Sequence, residues 1–103
     1  MPRLIFTARF RSDVDSILRY LEGVSGPHAA NRYARRFRAT IDRLDRFPQN
    51  RVPRPMLGPA ACIAIVPPYI LIYDYDQEND ALVMLRLLHE RREIARELVR
   101  GQR

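Results

Sequence analysis

Arg86, His89, Arg91 and Arg92 crowd the exit of an apolar run, Ala81–Leu88. A guanidinium offers paired N–H donors to a flat oxyanion, so this cluster suits phosphate or carboxylate. His89 adds a group that can give or take a proton near neutral pH. With Tyr73 as a neighbour, the inventory would allow metal-free cleavage of RNA. A base would activate the ribose 2′-hydroxyl, and the cations would hold the pentavalent phosphate. A lone His without a second convergent group is a weak catalytic centre, however. The simpler reading is a strand-end His followed by solvated Arg residues that open a helix, with Glu93 as partner. No catalytic residue is assigned. Arg86, His89, Arg91 and Arg92 are read as a surface that contacts an acidic target. One Cys and two distant His give no ligand spacing, so neither a metal nor a cofactor is expected.

A second cluster, Arg32, Arg35 and Arg36, lies on a helical segment whose apolar stripe is Ala30, Tyr33, Phe37, Ile41 and Leu44. An alternating charged face is solvated by default. At this density it also suits docking to an acidic partner. Tyr69 and Tyr73 belong to a stripe too rich in Ile and Leu for an exposed sheet face. They read as core, and join the docking surface only where a partner's amphipathic segment covers that face of the sheet.

The elements that position these residues follow from periodicity. Arg3–Thr7 alternates and reads as a first strand. Thr7 is then an N-cap for a helix with Phe10, Val14, Ile17, Leu18 and Leu21 on one face, closed by Gly23. Pro27 opens a second helix that ends at Phe47-Pro48. A Pro-rich loop, Gln49–Pro59, leads to three β-rich runs, Cys62–Val66, Tyr69–Asp74 and Ala81–Leu88. Pro67-Pro68 and Gln77–Asp80 mark the turns between them. The middle run carries apolar residues on both faces, which suits a central strand. A regular last strand would send Arg86 and His89 to opposite faces. Arg91–Leu98 reads as a short C-terminal helix, stable only when docked. The expected fold is a two-layer α+β domain spanning residues 1–103. It places a helix hairpin, residues 8–47, on a small antiparallel sheet in the order β-α-α-β-β-β plus the C-terminal helix.

Composition narrows the function classes. At 103 residues the chain suits one domain with one core, and 47% hydrophobic with 29% charged content is globular. The net charge is +6, and all 18 basic residues are Arg. Residues 1–55 hold twelve Arg against five acids, whereas residues 56–90 hold Arg86 against five acids. The basic surface is therefore helical and C-terminal. It suits nucleic acid or an acidic protein. The single Cys62 excludes an internal disulfide and reads as a buried thiol. No apolar run approaches a membrane span, and MPRLIFTARF lacks a secretory h-region, so the chain is expected to be cytoplasmic and off the membrane.

A family resemblance rests on ordered phrases along nearly the whole chain. They are Asp13–Leu21, Ser25-Gly26-Pro27 with Ala29-Ala30, and Ile41–Leu44 with Phe47-Pro48. Then come Arg54-Pro55, Leu57-Gly58, Tyr69–Tyr73, and Arg86–His89 followed by Arg91-Arg92. With this order and spacing the sequence resembles ParE-like toxins of the RelE/ParE toxin–antitoxin superfamily. The resemblance implies a small toxin neutralised by a ParD-like antitoxin encoded beside it. For that antitoxin it adds a role to Arg32, Arg35, Arg36, Tyr69 and Tyr73. The implied target is DNA gyrase for the ParE branch and ribosome-bound mRNA for the RelE branch. The family often has an Arg entering the first strand of the meander, where this chain has Cys62, and a Gly after the strand-ending His, where it has Glu90. The missing Arg belongs to the cationic set of the ribonuclease branch. The first expectation is thus gyrase inhibition by binding, without intrinsic catalysis or direct nucleic-acid binding by the toxin alone. The alternative is a metal-independent mRNA endonuclease using Arg86 and His89. A third reading is a nucleic-acid-binding or antitoxin-sequestered module with no toxicity.

Overall fold

Thr7 turns the chain from strand to helix. Its hydroxyl accepts from the Phe10 N–H at 3.1 Å and lies 2.9 Å from the Met84 carbonyl, to which it donates. One side chain thus caps a helix and ties it to a strand far away in sequence. The computed structural model describes residues 3–48, 51–58 and 61–90. Their elements are β1 (Arg3–Phe6), α1 (Ala8–Ser25), α2 (Pro27–Arg46), β2 (Ala61–Val66), β3 (Tyr69–Asp76) and β4 (Ala81–His89), with one 3-10 turn at Pro55–Leu57. The expected C-terminal helix, with Arg91 and Arg92, lies outside the described residues.

Two expectations need correction. Gly23 does not close α1, which runs on to Ser25 and ends at Gly26. Gly26 adopts φ 88°, a conformation that costs a residue without Cβ little. Pro27 then starts α2 at once. The sheet is mixed rather than antiparallel throughout. Its strand order is β1-β4-β3-β2, and β1 pairs in parallel with β4, Arg3 opposite Ala81 and Phe6 opposite Met84. The loop explains this. It runs back along β2, bridging Pro53 to Cys62 in antiparallel fashion, so that β2 sets off in the direction of β1. The two reversals at Pro67-Pro68 and Gln77–Asp80 then return β4 to that same direction.

The helices cover one face of the sheet. Phe10 and Leu21 of α1 and Phe37, Ile41 and Leu44 of α2 bury against Tyr69, Leu71, Tyr73, Leu82, Met84 and Leu87. Ile63, Ile72 and Leu88 form a second buried cluster with Ala61, and Leu57 of the 3-10 turn packs against it. The central strand β3 is therefore apolar on both faces, as its sequence implied. No described helix is long and apolar enough to cross a membrane.

Candidate functional site

Arg86 occupies an irregular stretch of β4. Opposite β3 the register slips between Ile72 and Tyr73, so Ile72 faces Arg86, Tyr73 faces Met84, and Leu85 is the extra residue. A bulge of this kind re-aims the side chains beside it. Beyond the slip the register is unbroken, with Arg86 opposite Ile72 and His89 opposite Tyr69, residues that belong to opposite faces of the sheet. Arg86 reaches α1, where Nε donates to Asp13 Oδ2 at 2.7 Å and Nη2 to Oδ1 at 3.3 Å. Asp13 Oδ2 also accepts the Leu87 N–H at 2.9 Å. β1 ends opposite Met84, so the carboxylate takes over the edge of β4 where its neighbour strand stops. Both side chains are largely enclosed, at 18% and 16% exposure. The paired geometry and shared backbone donor make this a structural joint between helix and sheet.

His89 closes β4 and packs on the helix-covered side. Its ring meets Tyr69 edge-on, with centroids 5.7 Å apart. Tyr69 in turn meets Tyr33 and Phe37 of α2 edge-on, each at 5.7 Å. Arg36 lays its guanidinium over the Tyr33 ring at 5.1 Å. Consecutive ring contacts therefore run from the exit of β4 to the basic face of α2. Arg32, Arg35 and Arg36 are all exposed on that face. Tyr69 and Tyr73 are buried in the free chain, with only 5% and 1% of their surfaces exposed. The hairpin itself covers the stripe that a partner segment was expected to cover, and both rings belong to the core.

Burial decides the acid–base character of these phenols. It pushes the Tyr69 hydroxyl above its ordinary range, with Tyr33 and Tyr20 adding to the effect. It pushes Tyr73 up to about 12, assisted by Cys62 across the strand pair and opposed by Arg51. Burial likewise raises the Cys62 thiol, keeping it protonated. Neither phenol nor thiol is poised to exchange a proton near neutral pH.

The structure brings His89 and Arg36 into one ring-linked end of the molecule, and separates Arg86 from them through Asp13. Sequence reasoning overlooked Asp13 as the partner of Arg86. The signal was present: Asp13 follows Phe10 by three and precedes Ile17 by four, so an acid lies within the apolar stripe of α1. An acid so placed needs a cation or donor from the layer beneath. Among the described residues, no group of three or more His, Cys, Asp or Glu could hold a metal ion.

A helix hairpin on a mixed four-stranded sheet, with a basic outer helix face and an Asp-locked Arg at the end of β4, defines a two-layer α+β domain. The family model for the ParE toxin of the type II toxin–antitoxin system, parDE, matches residues 4–94, and the chain belongs to that family. Ten chains of solved structures match as well. One is described as the chromosomal ParDE TA system from P. aeruginosa. It is 18% identical and covers 86% of this chain and 96% of that one, with a TM-score of 0.73. At that identity the likeness is one of fold. A search of curated proteins finds no match.

Proposed function

We propose that this toxin acts by binding DNA gyrase, without catalysis of its own, and that a ParD-like antitoxin neutralises it. Membership of the ParE family supports the gyrase target, and the likeness to a ParDE system supports the antitoxin. The observation that carries the binding reading is the Arg86–Asp13 pair. To hold a phosphate with the paired edge that it gives to Asp13, Arg86 would have to leave Asp13. That would strand an enclosed carboxylate beside the incoming anion, which would then be repelled. Cys62 adds a protonated thiol where an Arg would serve a ribonuclease. His89 packs against a phenol that burial keeps protonated.

The target surface in this reading is His89 with Arg91 and Arg92. The antitoxin surface is Arg32, Arg35 and Arg36. The ring contacts from His89 to Arg36 support a bound antitoxin standing close to His89. Growth arrest on induction tests the mechanism. Arg91→Ala with Arg92→Ala is expected to lose toxicity, because charge-assisted contacts are worth roughly 1.5–3 kcal/mol each. His89→Gln is expected to keep most of it. Co-purification with the product of the adjacent reading frame controls for misfolding of each variant. Complete loss of toxicity in a folded, antitoxin-binding His89→Gln variant would point instead to a ribosome-dependent mRNA endonuclease.

A further inference from the structure

The hinge end of the helix hairpin sets rings and cations side by side at the surface. Tyr20 stands six residues before Gly26 on α1, and Tyr33 seven residues after it on α2, so the hairpin brings the two level with each other. Both lie at the Tyr69 end of the sheet. Tyr33 meets the Tyr69 ring at 5.7 Å, and Tyr20 is near enough to help push the Tyr69 hydroxyl up. Tyr20 is 62% exposed, the most open aromatic side chain among the described residues, and Val24 one turn on is equally open. A single exposed ring is ordinary on a protein surface, but the surroundings of this one are not. Residues 23–41 carry four Arg and no acid. Arg32, Arg35 and Arg36 are exposed and make no ion pair among the described residues. Arg36 is held over the Tyr33 ring at 5.1 Å, not on a carboxylate.

We propose that this end of the free toxin binds single-stranded DNA, with bases stacked on Tyr20 and on the Arg36–Tyr33 pair and phosphates held by Arg32 and Arg35. Charge and shape together select the occupant. A carboxylate-bearing peptide would satisfy the Arg residues but makes no use of an open phenol ring. Every nucleobase has a flat face that stacks on a ring or a guanidinium, and every nucleotide brings an anion with it. A duplex would meet the Arg residues through its phosphates and keep its base faces stacked on one another, out of reach. The strand is therefore unpaired. Stacking favours neither sugar, and the choice of DNA over RNA rests on DNA gyrase as the target. In the neutralised complex an antitoxin on Arg32, Arg35 and Arg36 would close this site, so the free toxin is the form that uses it.

Fluorescence anisotropy with the full purified chain, free of antitoxin, tests this. The probes are a labelled DNA strand of mixed sequence, the same strand annealed to its complement, RNA of the same sequence, and an oligoglutamate peptide of equal charge. The single DNA strand is expected to bind saturably and to weaken with added salt. It should bind more tightly than the duplex or the peptide, and at least as tightly as the RNA. Tyr20→Ala should weaken it by ~10-fold, the loss of about one stacked base, and Tyr20→Phe, which keeps the ring, should not. Arg32→Ala with Arg35→Ala should weaken all strands alike and make the salt dependence shallower. Unchanged binding by Tyr20→Ala overturns the proposal, as does the absence of saturable binding. Duplex bound as tightly as the single strand overturns it too. Oligoglutamate bound more tightly than DNA would assign the face to an acidic protein and overturn it. RNA bound more tightly than DNA overturns the assignment to DNA. If gyrase supercoiling is still inhibited by the same preparation, that failure leaves the gyrase reading standing, and if supercoiling is unaffected, both fall.

Discussion

Asp13 and Arg86 form the joint on which the account of this site depends. Their two hydrogen bonds, with the Leu87 N–H added, hold α1 to the bulged end of β4. Arg86→Ala leaves an enclosed carboxylate with a single backbone donor, so a loss of about 2 kcal/mol in chemical denaturation is expected. Asp13→Asn should cost a similar amount, since it removes the charge and one acceptor. The double variant should cost clearly less than the sum, because the two residues act as a unit. Additive costs would show that Arg86 is not held by Asp13 and is available to a ligand. Arg86 was legible in the sequence as a cation at a strand end. Its partner was not, because the bulge that turns it toward α1 depends on strand pairing and not on local pattern. Tyr69 and Tyr73 were legible as core from their apolar neighbours. A partner could meet them only where the hairpin that buries them gave way.

The helix hairpin shows how far local chemistry reaches. Thr7 and Pro27 start the helices where their side-chain chemistry requires, and both starts were legible. The end of α1 was not. Two glycines, Gly23 and Gly26, compete for the cap, and the apolar stripe ends near both. The structure chooses Gly26, whose N–H donates to the Glu22 carbonyl at 2.9 Å. The choice gives the two glycines opposite responses. A Cβ at Gly23 would meet nothing within 4 Å and would lie inside a helix, so Gly23→Ala is expected to stabilise by about 0.5–1 kcal/mol. Gly26→Ala forces a side chain into φ 88° and should destabilise by about 1 kcal/mol or more. Thermal melts of the pair test this. A rise in Tm for Gly26→Ala would place the cap elsewhere.

At the scale of the whole molecule, the β-α-α-β-β-β order and two-layer packing were legible because periodicity changes from helical to extended after Pro48. The parallel pairing of β1 with β4 was not, because it depends on the path of the loop along β2. The buried heart of the sheet has its own pH signature. Tyr73 titrates near 12 in the folded chain against an ordinary 10.0. The unfolded chain therefore loses this proton first as pH rises, and folded stability should be full below pH 10.0 and fall as pH climbs toward 12. Tyr73→Phe should flatten that decline in alkaline denaturation, and an unchanged slope would assign the decline to other groups. The functional claim is that this surface inhibits by contact alone. The most direct measurement pairs DNA gyrase supercoiling with primer extension on translated mRNA, using the same purified protein. Loss of supercoiling with intact transcripts is the predicted result. Cleaved transcripts with supercoiling unaffected would contradict it.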